Sequence, residues 1–346
     1  MSRSLCTLLG LVVLLISGGL SGSPASVDLC DGKCLGPTGL GVDSRNNILY
    51  ILSTGSTEGI LQKWALRTDN AGKVSLNLLS SCQRLGSGTE IGPPGPHVLL
   101  LPEGVFPLRF LRAFVADQDL ILVADSANHR ILALNDCPSS GTGIAGNGKP
   151  GPTFNSPTVL TAGVFTPLFD VFIHLIFVID TGNSRVQVYE VYYMNPSGQK
   201  DPAFRLFSSS SDWQLPKRLD HPKGIALVPD ANLLYIMDTG NGVVDVLQLP
   251  RPPVESFFRG DQPKFVFSFP AEGTAIATTR IYLYVVNPFG NSVQVYNRFT
   301  GHLVTTITTA LDGSPLVSPR GISVDDFGRV YVSDYGNNRV VLLTRN

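Results

Sequence analysis

The sequence predicts an all-β repeat fold, six copies of one four-stranded antiparallel unit closed into a six-bladed β-propeller. Two observations carry that expectation. Stretches of alternating apolar residues are broken by Gly and Asn/Asp clusters, the pattern of short antiparallel strands joined by tight turns. The same stretch also recurs along the chain, and an all-β repeat of this length closes on itself as a propeller. The last copy, residues 319–343, is the clearest. It runs Pro-Arg-Gly-Ile-Ser-Val, a turn at Asp-Asp-Phe-Gly, Arg-Val-Tyr-Val-Ser, the hexamer Asp334-Tyr-Gly-Asn-Asn-Arg339, and a third apolar run.

The 346 residues carry a formal net charge of -1, 43% hydrophobic residues, 35 Gly and 25 Pro, enough chain for one large repeat domain. Near-neutral charge without a basic stripe leaves no electrostatic footprint for nucleic acid. Arg3 followed by the apolar run 5–16 and small residues to Ala25 reads as a signal peptide, residues 1–25. The alternative is a membrane anchor at residues 5–20, but the run is short for a span, so no stable membrane span is expected. With Cys6 removed, Cys30, Cys34, Cys82 and Cys137 remain, an even number that fits two disulfides in a secreted chain. Three pairings are possible; Cys30 and Cys34 can close a local loop, leaving Cys82 with Cys137. No Asn-x-Ser/Thr sequon with an allowed middle residue occurs.

Six turn hexamers align: Ser53-Thr-Gly-Ser-Thr-Glu58, Asp125-Ser-Ala-Asn-His-Arg130, Asp180-Thr-Gly-Asn-Ser-Arg185, Asp238-Thr-Gly-Asn-Gly-Val243, Asn287-Pro-Phe-Gly-Asn-Ser292 and Asp334-Tyr-Gly-Asn-Asn-Arg339. Apolar strands precede them at 48–52, 120–124, 176–179, 233–237, 282–286 and 330–333, and each hexamer leads into another. Outer strands are expected at 74–79, 142–145, 204–207, 265–269 and 303–308. The sixth unit runs out of chain after three strands, so its fourth is expected from the mature N-terminus near 27–30, which closes the ring without an exposed edge.

The hexamer chemistry reads as structural. Gly and Asn tolerate the left-handed backbone of a tight turn, and an Asp there accepts nearby N–H groups. Asp125, Asn128, Arg130, Asp180, Gly182, Asn183, Arg185, Asp238, Gly240, Asn241, Asp334, Gly336, Asn337 and Arg339 are expected to hold turns by local pairing. A residue recurring in most blades serves each blade, whereas a binding site is asymmetric. These repeats resemble the NHL repeat, with Pro-x-Gly-Ile-Ala-Val followed by Val-Tyr-Val-Ala-Asp-x-Gly-Asn-x-Arg. The resemblance implies a single propeller domain over 26–346, with repeats near 37–66, 102–134, 157–190, 222–249, 271–297 and 319–343.

Spacing separates two repeats from the rest. Pro37 to Ser53, Pro222 to Asp238 and Ala271 to Asn287 are each 16 residues apart, and Pro319 to Asp334 is 15; Pro102 to Asp125 and Pro157 to Asp180 are 23. The extra residues are apolar and lie between first and second strands. Phe106, Leu108, Phe110, Leu111, Phe165, Leu168, Phe169 and Phe172, with Arg109 and Arg112 at the rim, are therefore candidates for an interaction patch. The competing readings are lengthened strands, a misjoined gene product, and a membrane span over 159–179.

A catalytic constellation is harder to find. No Gly-x-Ser-x-Gly elbow occurs. Gly146-Asn-Gly-Lys149 lacks the Lys-Ser/Thr end of a phosphate loop. His97, His129, His174, His221 and His302 fall at inequivalent repeat positions, against the channel histidines of amidating-lyase propellers. Glu103, Asp43 and Asp325 are the carboxylates available for a lactonase-type calcium site, although acidic residues at strand ends more often cap turns. The reading is a secreted or lumenal monomeric scaffold binding a protein or glycan, with no cofactor and no chemical step. The alternative is a calcium- or zinc-dependent lyase or hydrolase in the central channel.

Overall fold

A computed structural model of the chain describes residues 28–30, 32–54, 59–70, 73–82, 102–109, 119–134, 141–145, 154–168, 171–192, 203–250 and 261–343. Blade 1 comprises β1 (Pro37–Asp43), β2 (Ile48–Ser53), β3 (Ile60–Thr68) and β4 (Val74–Cys82). Blade 2 comprises β5 (Gly104–Arg109), β6 (Asp119–Asp125), β7 (Arg130–Leu134) and β8 (Gly141–Ala145). Blade 3 comprises β9 (Pro157–Leu168), β10 (Val171–Asp180), β11 (Arg185–Tyr192) and β12 (Ala203–Ser209). Blade 4 comprises β13 (Gly224–Val228), β14 (Leu233–Asp238), β15 (Val243–Gln248) and β16 (Lys264–Pro270). Blade 5 comprises β17 (Ala275–Thr278), β18 (Tyr282–Asn287), β19 (Ser292–Asn297) and β20 (Leu303–Ile307). Blade 6 comprises β21 (Pro319–Val324), β22 (Val330–Asp334) and β23 (Arg339–Leu342). Each sheet is antiparallel in sequence order. The first strands β1, β5, β9, β13, β17 and β21 pack side by side around a central channel and return to β1.

The second strands read as almost continuous apolar runs because they are buried on both faces. In β14, Leu234 and Ile236 pack into the seam with blade 3, while Tyr235 and Met237 pack into the seam with blade 5. Burying side chains of this size contributes about 1.5–3 kcal/mol each. Six such clusters fill the six seams. The ring therefore has no single core; its stability is distributed between neighbours.

Closure differs from expectation. Five sheets have four strands and the sixth has three among the described residues. Near the expected closing strand, the Leu29 N–H donates to the Val340 carbonyl on β23 (2.9 Å). The chain then turns away at once, because the Asp28 carboxylate accepts the Cys30 and Gly32 N–H groups. Leu29, Cys30 and Cys34 are instead buried with Trp64 and Tyr331 in the closing seam. The Cys30–Cys34 disulfide (Cα–Cα 5.7 Å) ties that short loop. Cys82 is disulfide-bonded too, and Cys137 lies outside the described residues.

In blade 3 the extra residues continue the strands. β9 and β10 pair out to Ile173 with Phe165 and Val171 with Leu168, so residues 159–168 and 171–179 lie in two antiparallel strands. Among the described residues no helix is long and apolar enough to cross a membrane. The fifth repeat opens at Gly273 rather than Ala271. Ala275 pairs with Val286 as Gly224 pairs with Met237, and a short turn after β17 brings the opening two residues closer to the hexamer. The segment 1–25 lies outside the described residues.

Candidate binding site at the channel mouth

In blades 2, 3, 4 and 6 the hexamer aspartate is buried, and in blades 3, 4 and 6 it works with both oxygens. Oδ2 of Asp180 accepts from Asn183 Nδ2 (2.8 Å) and Arg185 Nε (2.7 Å). Its Oδ1 accepts the backbone N–H of Asn155 (2.7 Å), and Gly182 N–H returns to the Asn155 carbonyl (2.8 Å). Asp334 repeats the arrangement with Asn337, Arg339, Val317 and Gly336. Asp125 is paired with Asn128 and Arg130, both at 2.8 Å. Asp238 keeps Asn241 (2.6 Å), the Asp220 N–H and Gly240, but Val243 stands where the arginine would be. Burial raises the Asp238 carboxyl above the ordinary range, opposed by its hydrogen bonds with Asn241 and the Asp220 backbone.

The hexamer glycine has a different purpose from the one its residue type suggests. Gly182 and Gly240 are not at positive φ; a Cβ on Gly182 would lie 2.5 Å from Asn155 Cγ and 2.7 Å from its carbonyl. The left-handed residue is the fifth, as at His129 (φ 51°), Ser184 (φ 52°) and Asn338 (φ 53°). That residue also clamps the next blade. The Ser156 N–H donates to His129 Nδ1 (2.9 Å), the His221 N–H to Ser184 Oγ (3.1 Å), the Ser318 N–H to Asn291 Oδ1 (2.7 Å) and the Gly36 N–H to Asn338 Oδ1 (2.9 Å). A second clamp comes from the hexamer hydroxyl. Ser126 donates to the Pro157 carbonyl, Thr181 to Pro222 and Thr239 to Gly273. The hexamers thus set the seam geometry, and their charges are consumed within it.

The face carrying these turns also holds the open end of the channel. Each first strand begins at an opening residue, usually proline, or two residues beyond it, and the residue after the opening one reaches the channel wall. In blade order these are Thr38, Glu103, Thr158, Lys223, Thr274 and Arg320, and all six line one cavity of about 350 Å3. The equivalence is set by the backbone. Glu103, Lys223 and Thr274 N–H groups donate to the Ala124, Met237 and Val286 carbonyls, each the residue before a hexamer. The glycine that follows in the opening motif lets neighbouring first strands touch; a Cβ on Gly104 would lie 2.6 Å from the Thr158 carbonyl.

Threonines and charged residues alternate around this ring. Thr38 and Thr158 hydroxyls bridge to the Pro102 and Lys223 carbonyls of the following blades. Among the described residues, Glu103, Lys223 and Arg320 are the charged side chains lining the cavity. Glu103 is open to the water of the channel yet surrounded by protein. That crowding raises its carboxyl above the usual range, and Lys223 and Arg320 partly offset it. The Arg320 guanidinium carbon lies 3.6 Å from the centre of the Tyr335 ring, a cation–π contact that steadies it at the rim. Leu40, Val105, Val159, Ile276 and Ile322 line the apolar part of the wall. At the outer lip stand Pro288 and Phe289, the latter 96% exposed, where blades 1, 3 and 4 have Thr-Gly, blade 2 Ser-Ala and blade 6 Tyr-Gly.

The remaining candidates are dispersed. Asp43 and Asp325 sit at the far ends of their strands and cap turns; Asp325 accepts from Phe327 and Arg329 N–H groups and from Arg329 Nε. His174 is buried in β10, His221 bonds Asp220, and His302 is exposed. Among the described residues no three His, Cys, Asp or Glu side chains are placed to hold a metal ion. Phe106 is half-buried against the seam of blades 2 and 3. Leu108 and Arg109 lie in β5, Phe165 and Leu168 in β9, and Phe172 in β10. Phe110, Leu111, Arg112 and Phe169 lie outside the described residues. Lys223, Arg320 and Phe289 are absent from the sequence-based candidates. Their signal is the variable position inside an otherwise repeated motif.

Comparison with known proteins agrees with this architecture. The NHL repeat family matches residues 316–341. No curated protein matches the chain in sequence. Among solved structures, a gluconolactonase from Xanthomonas campestris is similar at 14% identity and TM-score 0.53, covering 90% of this chain and 87% of that one. A chain from a nidogen/laminin complex is similar at 15% identity and TM-score 0.48, covering 82% and 83%. At 14% identity the likeness to the gluconolactonase attests to the fold alone. The molecule is a six-bladed β-propeller. It carries an NHL repeat, matched over residues 316–341 in the sixth blade.

Proposed function

We propose that the chain is a secreted or lumenal scaffold that binds a protein or glycan partner on its hexamer face, with no chemical step. One observation carries this reading. The residues that recur from blade to blade are spent on turns and seams, while the residues that differ gather at the channel mouth. Phe289 is the extreme case: a fully presented aromatic ring beside a charged cavity, at a turn position that is Gly or Ala in the other five hexamers. An exposed aromatic on a rigid frame gives contact area at little ordering cost. The N-terminal apolar run and the Cys30–Cys34 disulfide support the secretory address.

The test uses the secreted, chelator-treated protein and its Phe289→Ala variant, immobilised at equal density. Retention is measured on a glycan array and, by quantitative mass spectrometry, from extracellular matrix extract. The expected result is a ligand retained by the native protein and weakened about tenfold or more in the variant at unchanged melting temperature. Stoichiometric zinc or calcium that resists dialysis, together with turnover of a lactone or ester, would overturn the scaffold reading.

A further inference from the structure

The channel-mouth cavity has features that a flat docking surface does not need. Its volume, about 350 Å3, falls at the small end of ligand pockets. Its floor is aliphatic, its lip is aromatic, and its ring holds two cations against one carboxylate. Arg320 lies over the Tyr335 ring, a contact that leaves guanidinium N–H groups for an acceptor. Lys223 is half-buried, two blades away around the ring.

We propose that this cavity binds a small organic acid, with its carboxylate held by Lys223 and Arg320 and its apolar part against Phe289 and the channel wall. The inference goes beyond the scaffold reading, because it requires no macromolecular partner. It also predicts a dependence on pH. Glu103 shares the cavity, and a bound carboxylate is repelled while Glu103 is ionised. The groups facing Glu103 from the packed first strands are Thr38, Thr158, Thr274, Lys223 and Arg320, so the two cations are its charged neighbours among the described residues. Crowding already raises the Glu103 carboxyl. Acidification therefore moves the ring from a net charge of about +1 towards about +2, and binding tightens.

The experiment is isothermal titration of the secreted full-length protein with phenylacetate at pH 5.5 and pH 7.5. Phenylacetamide and inorganic phosphate serve as the neutral and the purely anionic probes. The expected outcome is one saturable site for phenylacetate, tighter at pH 5.5, with neither control matching it. Arg320→Gln, at an exposed position, is expected to weaken binding about tenfold, and Lys223→Met likewise. Glu103→Gln is expected to bind at pH 7.5 at least as tightly as the native protein does at pH 5.5, and to lose the pH dependence. Circular dichroism establishes that each variant is folded; should Lys223→Met fail that check, Arg320→Gln decides. No saturable binding, equal binding of phenylacetamide, or unchanged affinity in folded Arg320→Gln would overturn the proposal. Equal binding of phosphate would overturn its apolar half, and a pH response surviving in Glu103→Gln would overturn the role of that carboxylate.

Discussion

Blades 3 and 4 are built on the same hexamer, Asp-Thr-Gly-Asn, and diverge in its last two residues. Ser184-Arg185 in one becomes Gly242-Val243 in the other. In blade 3 the guanidinium lies on Asp180, and the serine hydroxyl clamps blade 4 through the His221 N–H. In blade 4 both contacts are gone. Asp238 is left with hydrogen bonds but no guanidinium partner, and Ala271 N–H falls back on the Gly242 carbonyl. Thr239 still reaches Gly273, so the seam is held by one clamp instead of two. The hexamer is therefore two separable devices. Its first four residues order the turn, and its last two neutralise the aspartate and lock the next blade.

The largest expected effect comes from removing the carboxylate charge in each turn. Asp180→Asn removes the carboxylate charge beside a partly buried Arg185 and is expected to cost about 3 kcal/mol, whereas Asp238→Asn costs one hydrogen bond, to Asn241 or to the Asp220 N–H, and should cost about 1 kcal/mol. Urea unfolding of both variants at pH 7 measures the difference. Equal losses would mean that the guanidinium is not what separates the two blades.

Next comes pH. Asp245 on β15 is raised to about 6, first by burial and then by the nearby Asp238 charge. A carboxyl raised in the folded state holds its proton longer there than in the unfolded chain. Stability is thus greatest below the unfolded value near 4 and falls as pH rises towards about 6. Asp245→Asn should flatten that slope and raise stability at pH 7 by on the order of 2 kcal/mol. His129 in blade 2 should act in the opposite sense. Burial lowers it, so its contribution is present above the unfolded value near 6.5 and is lost as acid protonates the acceptor of the Ser156 N–H. Melting curves of native protein, Asp245→Asn and His129→Gln between pH 4 and pH 8 separate the two; slopes of the same sign would break the assignment.

Much of the turn was legible before the structure, because its partners lie within five residues of the aspartate: Asn183 and Arg185 for Asp180, Asn337 and Arg339 for Asp334. Second strands were equally legible, since burial on both faces leaves an uninterrupted apolar run. The seam clamps were not. Ser184 meets His221, and Asn338 meets Gly36 across the closing seam, distances in sequence that no local pattern encodes. Gly182 was attributed to a left-handed turn when its constraint is the approach of Asn155. The channel ring was missed for a related reason. Lys223 and Arg320 look like ordinary surface residues until the first strands are set in register around one axis.

The smallest effect probes whether the missing clamp can be restored. Gly242 sits at φ 66° with open space around the position of a Cβ. Asparagine tolerates that backbone better than most residues, and Asn338 already occupies the matching site in blade 6. Gly242→Asn would place an amide oxygen where the other hexamers present their acceptor, towards the chain entering blade 5. It also removes the conformational freedom of glycine from the unfolded state. Together these are expected to stabilise the protein by about 0.5–1 kcal/mol, read as an increase in the denaturant midpoint without a change in slope. Gly242→Ala separates the contributions: alanine lacks the acceptor and tolerates the left-handed region poorly, so it should lose stability. If asparagine and alanine shift the midpoint equally, the acceptor adds nothing. Blade 4 would then differ from blade 3 through its unpaired aspartate alone.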